Sequence, residues 1–161
     1  MTTTAMNTTQ LADRLRRAGL RATGPRLAIL HILVKDPSHP TAEDVHEALR
    51  VDHPSLSLST VYKTLEAFLR AGLCRRVVGD GSRLRVDGLM EPHDHALCRG
   101  CGRIFDIRRA IYPLPPPPSS LPNGLYVTGV HVEYDVVCAE CRSKGLSTES
   151  QDNHSVTRGG D

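Results

Sequence analysis

Two Cys-x-x-Cys pairs, Cys98/Cys101 and Cys138/Cys141, carry the most specific chemistry in this chain. Four thiolates in two such pairs make a closed tetrahedral site for Zn²⁺ with no open coordination position, so the site staples structure and leaves reactivity elsewhere. Just ahead of the first pair runs Pro92-His93-Asp94-His95-Ala96-Leu97. Alternate residues of an extended segment share a face, so His93 and His95 project together and could hold a second, more exchangeable metal. The same two residues could also lie on the outer face of an exposed strand. On the metal reading, one ion serves folding and another serves sensing.

Composition limits what can surround these groups. A chain of 161 residues with 4 % aromatics and no Trp has room for one ordinary domain or two small ones, and small ones often need a metal or a partner subunit. Four of the five cysteines have metal-like spacing and Cys74 stands alone, which points to a reducing compartment. No apolar run approaches a membrane span, and Met1 to Gln10 lacks the charged and apolar regions of a signal peptide. The expectation is a soluble, cytoplasmic protein with no membrane partner. Charge is uneven along it. Residues 1–86 hold 13 Lys/Arg against 8 Asp/Glu, and residues 87–161 hold 7 against 10. A basic first half suits nucleic acid, and an acidic, His-containing second half suits divalent cations.

The elements that must position these residues follow from periodicity. Residues 1–10 are expected to be a flexible N-terminus. Leu11, Leu15 and Ala18 form one apolar helical face ended by Gly19, and Pro25 opens a second helix through Leu33. Thr41 with Asp44 resembles a capping box, and Ser57 caps a helix whose apolar face is Val61, Leu65, Phe68 and Leu69. Cys74–Val78 and Arg83–Val86 flank Asp80-Gly81, a hairpin signal. Helices followed by a hairpin predict a winged helix, with the second helix of the pair entering the major groove. Strands are expected at 95–98, 103–107, 125–132 and 134–138, a polyproline II connection over Pro113–Pro118, and a disordered tail over 142–161. The fold class is thus α+β, with a winged-helix DNA-binding domain over 11–87 and a metal-binding domain over 88–141.

Five motifs in order, Gly19-Leu20-Arg21-Ala22-Thr23 with Arg26, Ser59 to Leu65, Gly72-Leu73, His93 to Gly102, and Cys138-x-x-Cys141, resemble the ferric uptake regulator (Fur) family. The resemblance runs from about Leu11 to Cys141. It implies a homodimeric bacterial repressor whose C-terminal α/β domain dimerises, and whose regulatory metal closes the dimer onto double-stranded operator DNA. The implied regulatory ligands are His39, Asp87, His93, His95 and Asp106. Such a mixed N/O set suits Fe²⁺, Mn²⁺ or Zn²⁺ better than a soft ion. Aspartate at both 87 and 106 is similar to the peroxide-responsive branch, in which bound Fe²⁺ promotes oxidation of a ligand histidine, here His39 or His93. Two departures bear on a further family metal site that would use Asp94 and His131: Pro92 stands where histidine is common, and Pro113–Pro118 replaces a helix.

On the docking logic of a winged helix, Tyr62 and Lys63 are expected to face base edges and Thr60 and Arg26 to contact phosphate, and Arg21 resembles the family's basic residue that reaches the adjacent minor groove. The competing readings are an iron- or manganese-responsive uptake regulator of the same family, and a non-haem metal enzyme built on His93, His95 and an aspartate. The enzyme would need an open coordination position and a substrate pocket.

Overall fold

A computed structural model describes residues 6–77, 83–108, 121–127 and 132–146. Four helices open the chain: α1 (Thr8–Arg17), α2 (Gly24–Lys35), α3 (Ala42–Leu49) and α4 (Leu58–Arg70). A two-stranded antiparallel wing follows, β1 (Arg75–Val77) and β2 (Arg85–Asp87), with Arg75 opposite Asp87. Thr41 accepts from the Asp44 amide while the Asp44 carboxylate accepts from the Thr41 amide, so two orphan donors at the start of α3 are satisfied reciprocally. Ser57 does the same one-sidedly for α4, accepting from the Thr60 amide. Gly72, at φ +66°, takes the left-handed conformation that lets the chain turn out of α4 into the wing.

The apolar faces of the helices meet in one core of Leu15, Ile29, Leu30, Val45, Val61, Leu65 and Phe68, all inaccessible to solvent. One edge of β2 pairs with β1; the other is pinned by the segment entering α3. There the Ala42 amide donates to the Leu84 carbonyl and the Val86 amide to the Pro40 carbonyl, each at 3.1 Å. This pinning fixes His39, one residue earlier, against the strand that ends in Asp87.

The second half is a three-stranded sheet in the order β4-β3-β5, made of β3 (Asp94–Cys98), β4 (Ile104–Ile107) and β5 (Glu133–Val136), followed by α5 (Ala139–Ser143). Central β3 runs antiparallel to β4, which puts His95 opposite Asp106, and parallel to β5. Its buried apolar cluster is small: Leu97 and Ile104 with Val77 contributed by the wing. Among the described residues this core is small, and the four cysteines join β3 to α5 beside it.

The elements depart from the sequence expectations in three places. Residues 8–10 are the first turn of α1, because Asn7 and Gln10 form a capping box that anchors the helix earlier than its apolar face suggests. Leu125–Val127 is not a strand, and all three residues are exposed, following the 3-10 turn at Pro122–Gly124. Residues 142–146 belong to α5 and its cap, where Gly145 at φ +82° ends the helix that carries Cys141 inward. The hairpin tip, Pro113–Pro118, His131 and the chain after 146 lie outside the described residues. No helix among the described residues is long and apolar enough to cross a membrane.

Candidate metal centre and DNA-facing helix

His39 precedes α3 at φ +58°, a conformation uncommon for residues with a side chain, and its ring is 1 % exposed. The Arg85 guanidinium holds it there by donating to the His39 carbonyl at 3.3 Å. His93 and His95 sit at the start of β3 on one face, with their Nε2 atoms 3.0 Å apart. Cross-strand Asp106 points into the same space, its Oδ1 2.9 Å from His39 Nε2, 3.5 Å from His93 Nε2 and 3.9 Å from His95 Nε2. The ligand atoms of His39, His93, His95 and Asp106 all lie within 4.8 Å of one another. Asp87 joins from the end of β2 through a 3.2 Å approach of its Oδ2 to His93 Nε2.

The charges of this cluster favour a cation. Burial pushes the His95 imidazolium down to about 4, helped by the other two histidines, and burial also lowers His39 against the pull of Asp106 and Asp87. Burial raises Asp87, resisted by the Leu89 amide that donates to it. His93 Nδ1 lies 2.8 Å from the Glu91 carbonyl, which can only accept, so Nδ1 donates there and Nε2 is turned toward the cluster. Nε2 faces Asp87 Oδ2, a buried oxygen with no hydrogen bond, and His39 Nδ1 is likewise buried without one. Imidazoles converging on carboxylates, one of them oriented by a backbone carbonyl, are a donor set that fits a divalent metal.

The four cysteines form the second cluster, with all Sγ atoms within 4.8 Å of one another. Cys98 and Cys101 flank the turn between β3 and β4; Cys138 caps α5 and Cys141 lies on it. The Cys138 amide donates to Cys98 Sγ at 3.3 Å and holds that thiol low, while burial pushes Cys141 up. Gly100 has no room for a side chain, since a Cβ there would sit 2.8 Å from Cys141 Sγ. Such a cluster fits a structural zinc.

On the helix expected to meet DNA, Thr60 and Lys63 are exposed on the first turns of α4, opposite buried Val61 and Leu65. Tyr62 is half-buried rather than free: its hydroxyl donates to Glu43 Oε1 on α3 at 2.7 Å. Arg21 is exposed in the α1–α2 link, and Arg26 donates to its carbonyl at 3.1 Å, bracing that link. Asp94 is buried; its suggested partner His131 is outside the described residues. Sequence reading missed Glu43 and Arg75, whose roles depend on long-range pairing; only the capping pattern around Thr41 hinted that Glu43 begins a helix. His46 also acts at long range, its Nε2 meeting the Leu56 carbonyl at 2.9 Å and tying α3 to the link before α4.

The sequence profile described as the ferric uptake regulator family matches residues 17–112. The peroxide operon regulator of Bacillus subtilis (strain 168) is 35 % identical over 135 residues, covering 82 % of this chain and 91 % of that protein. The peroxide-responsive repressor PerR of Staphylococcus aureus (strain Mu50 / ATCC 700699) is 35 % identical over 133 residues, covering 81 % and 88 %. Among solved structures, the ferric uptake regulator from Pseudomonas aeruginosa with manganese superposes with a TM-score of 0.60 at 27 % identity, covering 80 % of this chain and 98 % of that one.

Proposed function

The chain belongs to the ferric uptake regulator family, and from that premise we propose that it is a peroxide-responsive, metal-gated repressor that binds operator DNA as a cytoplasmic homodimer. The observation that carries this reading is the origin of the ligands. His39 belongs to the helical half, Asp87 to the end of the wing, and His93, His95 and Asp106 to the C-terminal sheet. A metal that engages them all binds one interdomain arrangement better than any other, and its differential affinity selects that arrangement. Moving such an equilibrium from 1:99 to 99:1 takes about 10⁴-fold preference, roughly 5.5 kcal/mol, which asks for ligands on both sides of the hinge.

The N/O donor set supports Fe²⁺ or Mn²⁺ as the regulatory ion, and the four thiols support Zn²⁺ as the structural one. Bound Fe²⁺ would supply the one-electron chemistry that reduces hydrogen peroxide. The chain's part is to hold His39 and His93 against the reaction, so that oxidation of either removes a ligand. Support for peroxide as the signal comes from the two bacterial relatives named for it, and from aspartate at both 87 and 106. The relatives' regulatory roles also weigh against an enzyme. On the DNA side, Lys63, Tyr62 and Thr60 present α4 to the major groove, with Arg21 and Arg26 at its flank.

The test is a gel shift on palindromic AT-rich DNA with Mn²⁺ titrated into zinc-loaded protein, alongside His93→Ala. Wild type should retard the DNA only with Mn²⁺, and the variant should not. Equal retardation with and without Mn²⁺ would dismiss metal gating.

A further inference from the structure

Arg75 sits on β1 directly across from Asp87, and its guanidinium reaches along the hinge that joins the wing to the C-terminal sheet. Its Nη2 donates to two backbone carbonyls of that hinge, Leu89 at 2.7 Å and Glu91 at 2.8 Å. Its Nε lies 3.9 Å from Asp87 Oδ2. The Glu91 carbonyl also accepts from His93 Nδ1. The hinge runs only from Asp87 to His93, and a candidate metal ligand stands at each end. Resting on the regulatory centre proposed above, we infer that Arg75 is a positioning residue of that centre: by clasping the Leu89 and Glu91 carbonyls it fixes the hinge and orients the His93 ring.

The physical argument is one of order. Three backbone-spaced residues, Gly88, Leu89 and Met90, lie in a link where Leu89 and Met90 are exposed and no strand pairing holds them. Without a clasp such a link samples many conformations, and each costs the metal part of its binding free energy in ordering Asp87 and His93 together. A rigid guanidinium that sets Nη2 on two carbonyls while turning Nε toward Asp87 pre-organises the link, and a flexible ammonium with a single nitrogen cannot do both. Because Glu91 O is shared between Arg75 and His93, the clasp also fixes the carbonyl to which the His93 ring donates, and with it the direction of that ring. Arg75 belongs to the wing, so the same bonds make hinge order depend on the DNA-binding half.

The experiment compares wild type, Arg75→Met, Arg75→Lys and His93→Ala as zinc-loaded, full-length protein. Mn²⁺ affinity is measured by calorimetry, and hydrogen exchange of the 88–91 amides is followed before Mn²⁺ is added. Arg75→Met should weaken Mn²⁺ binding by about 10- to 100-fold, the usual loss when a group orienting a metal ligand is removed. Its hinge amides should exchange faster while zinc content and helicity stay at wild-type levels. Arg75→Lys should fall between. If Arg75→Met does not fold, the Lys variant decides alone: intermediate Mn²⁺ affinity supports the clasp and wild-type affinity refutes it. Wild-type affinity and hinge exchange in Arg75→Met, with Mn²⁺ binding lost in His93→Ala, would overturn the role of Arg75 and leave the regulatory centre standing. Undiminished Mn²⁺ binding in His93→Ala would overturn both.

Discussion

Tyr62 is the residue at which the proposed recognition role and the scaffold meet. A tyrosine on the exposed arc of the proposed recognition helix would be free to contact bases, yet this hydroxyl is already committed to Glu43, and that bond lowers the Glu43 carboxyl while raising the Tyr62 phenol. The ring is therefore presented edge-fixed rather than swinging, which reduces the entropy lost on docking. Lys63→Ala and Tyr62→Ala should weaken operator binding while leaving metal content and dimerisation intact, as read by anisotropy and sedimentation. Lys63→Arg should bind at least as well as wild type, since a guanidinium can grip guanine through two bonds. Glu43→Gln keeps an acceptor for the hydroxyl and should bind better than Glu43→Ala; equal binding of the two would show that the Tyr62 anchor is irrelevant to DNA. Residue identity made Lys63 and Tyr62 visible from sequence. Glu43 was not, because its partner is 19 positions away.

At the scale of elements, the link between β2 and β3 and the turn between β3 and β4 carry the tightest geometry. Gly88 is buried against the end of α2, where a Cβ would stand 2.3 Å from the Leu33 carbonyl oxygen. Gly88→Ala must push the hinge off α2, a strain of about 1–3 kcal/mol by analogy with overpacked cores. It should lower Mn²⁺-dependent DNA binding while circular dichroism stays close to wild type. A variant with unaltered Mn²⁺ response would show that the hinge has slack. The Cys98–Cys141 cluster should behave differently. Cys141→Ser should lose zinc and the folded dimer together, because binding energy at a structural site is folding energy and the adjoining apolar cluster is too small to substitute. A zinc-free, fully folded dimer would contradict that. The helices and wing were legible because caps, apolar periodicity and turn glycines are local signals. Strand pairing is not local: 125–132 has the right residue types, but Leu125–Val127 lies exposed and outside the described ladders. α5 went unread because its five residues are too few to show a period.

The whole molecule is a helical half and a small sheet half joined by one short link, with the candidate regulatory ligands straddling it. Parity along β3 exposed the His93/His95 pair in the sequence, but the placement of His39 depends on Thr41 bridging Arg85, a contact across 44 positions that no local pattern encodes. His39, Asp87 and Asp106 entered the proposed ligand set through family resemblance, and the fold brings His39 and Asp106 within 2.9 Å across the two halves. Asp106→Glu, which adds a methylene and changes reach, should keep metal-dependent DNA binding and blunt the peroxide response. The most direct measurement loads the protein anaerobically with Fe²⁺, binds it to palindromic AT-rich DNA, adds hydrogen peroxide, and follows release by anisotropy and oxidation by peptide mass mapping. The account predicts release of DNA with one added oxygen on His39 or His93, and no release from Mn²⁺-loaded protein. DNA still bound by verified Fe²⁺-loaded protein, with both histidines unmodified, would contradict it and leave an iron- or manganese-responsive regulator in its place.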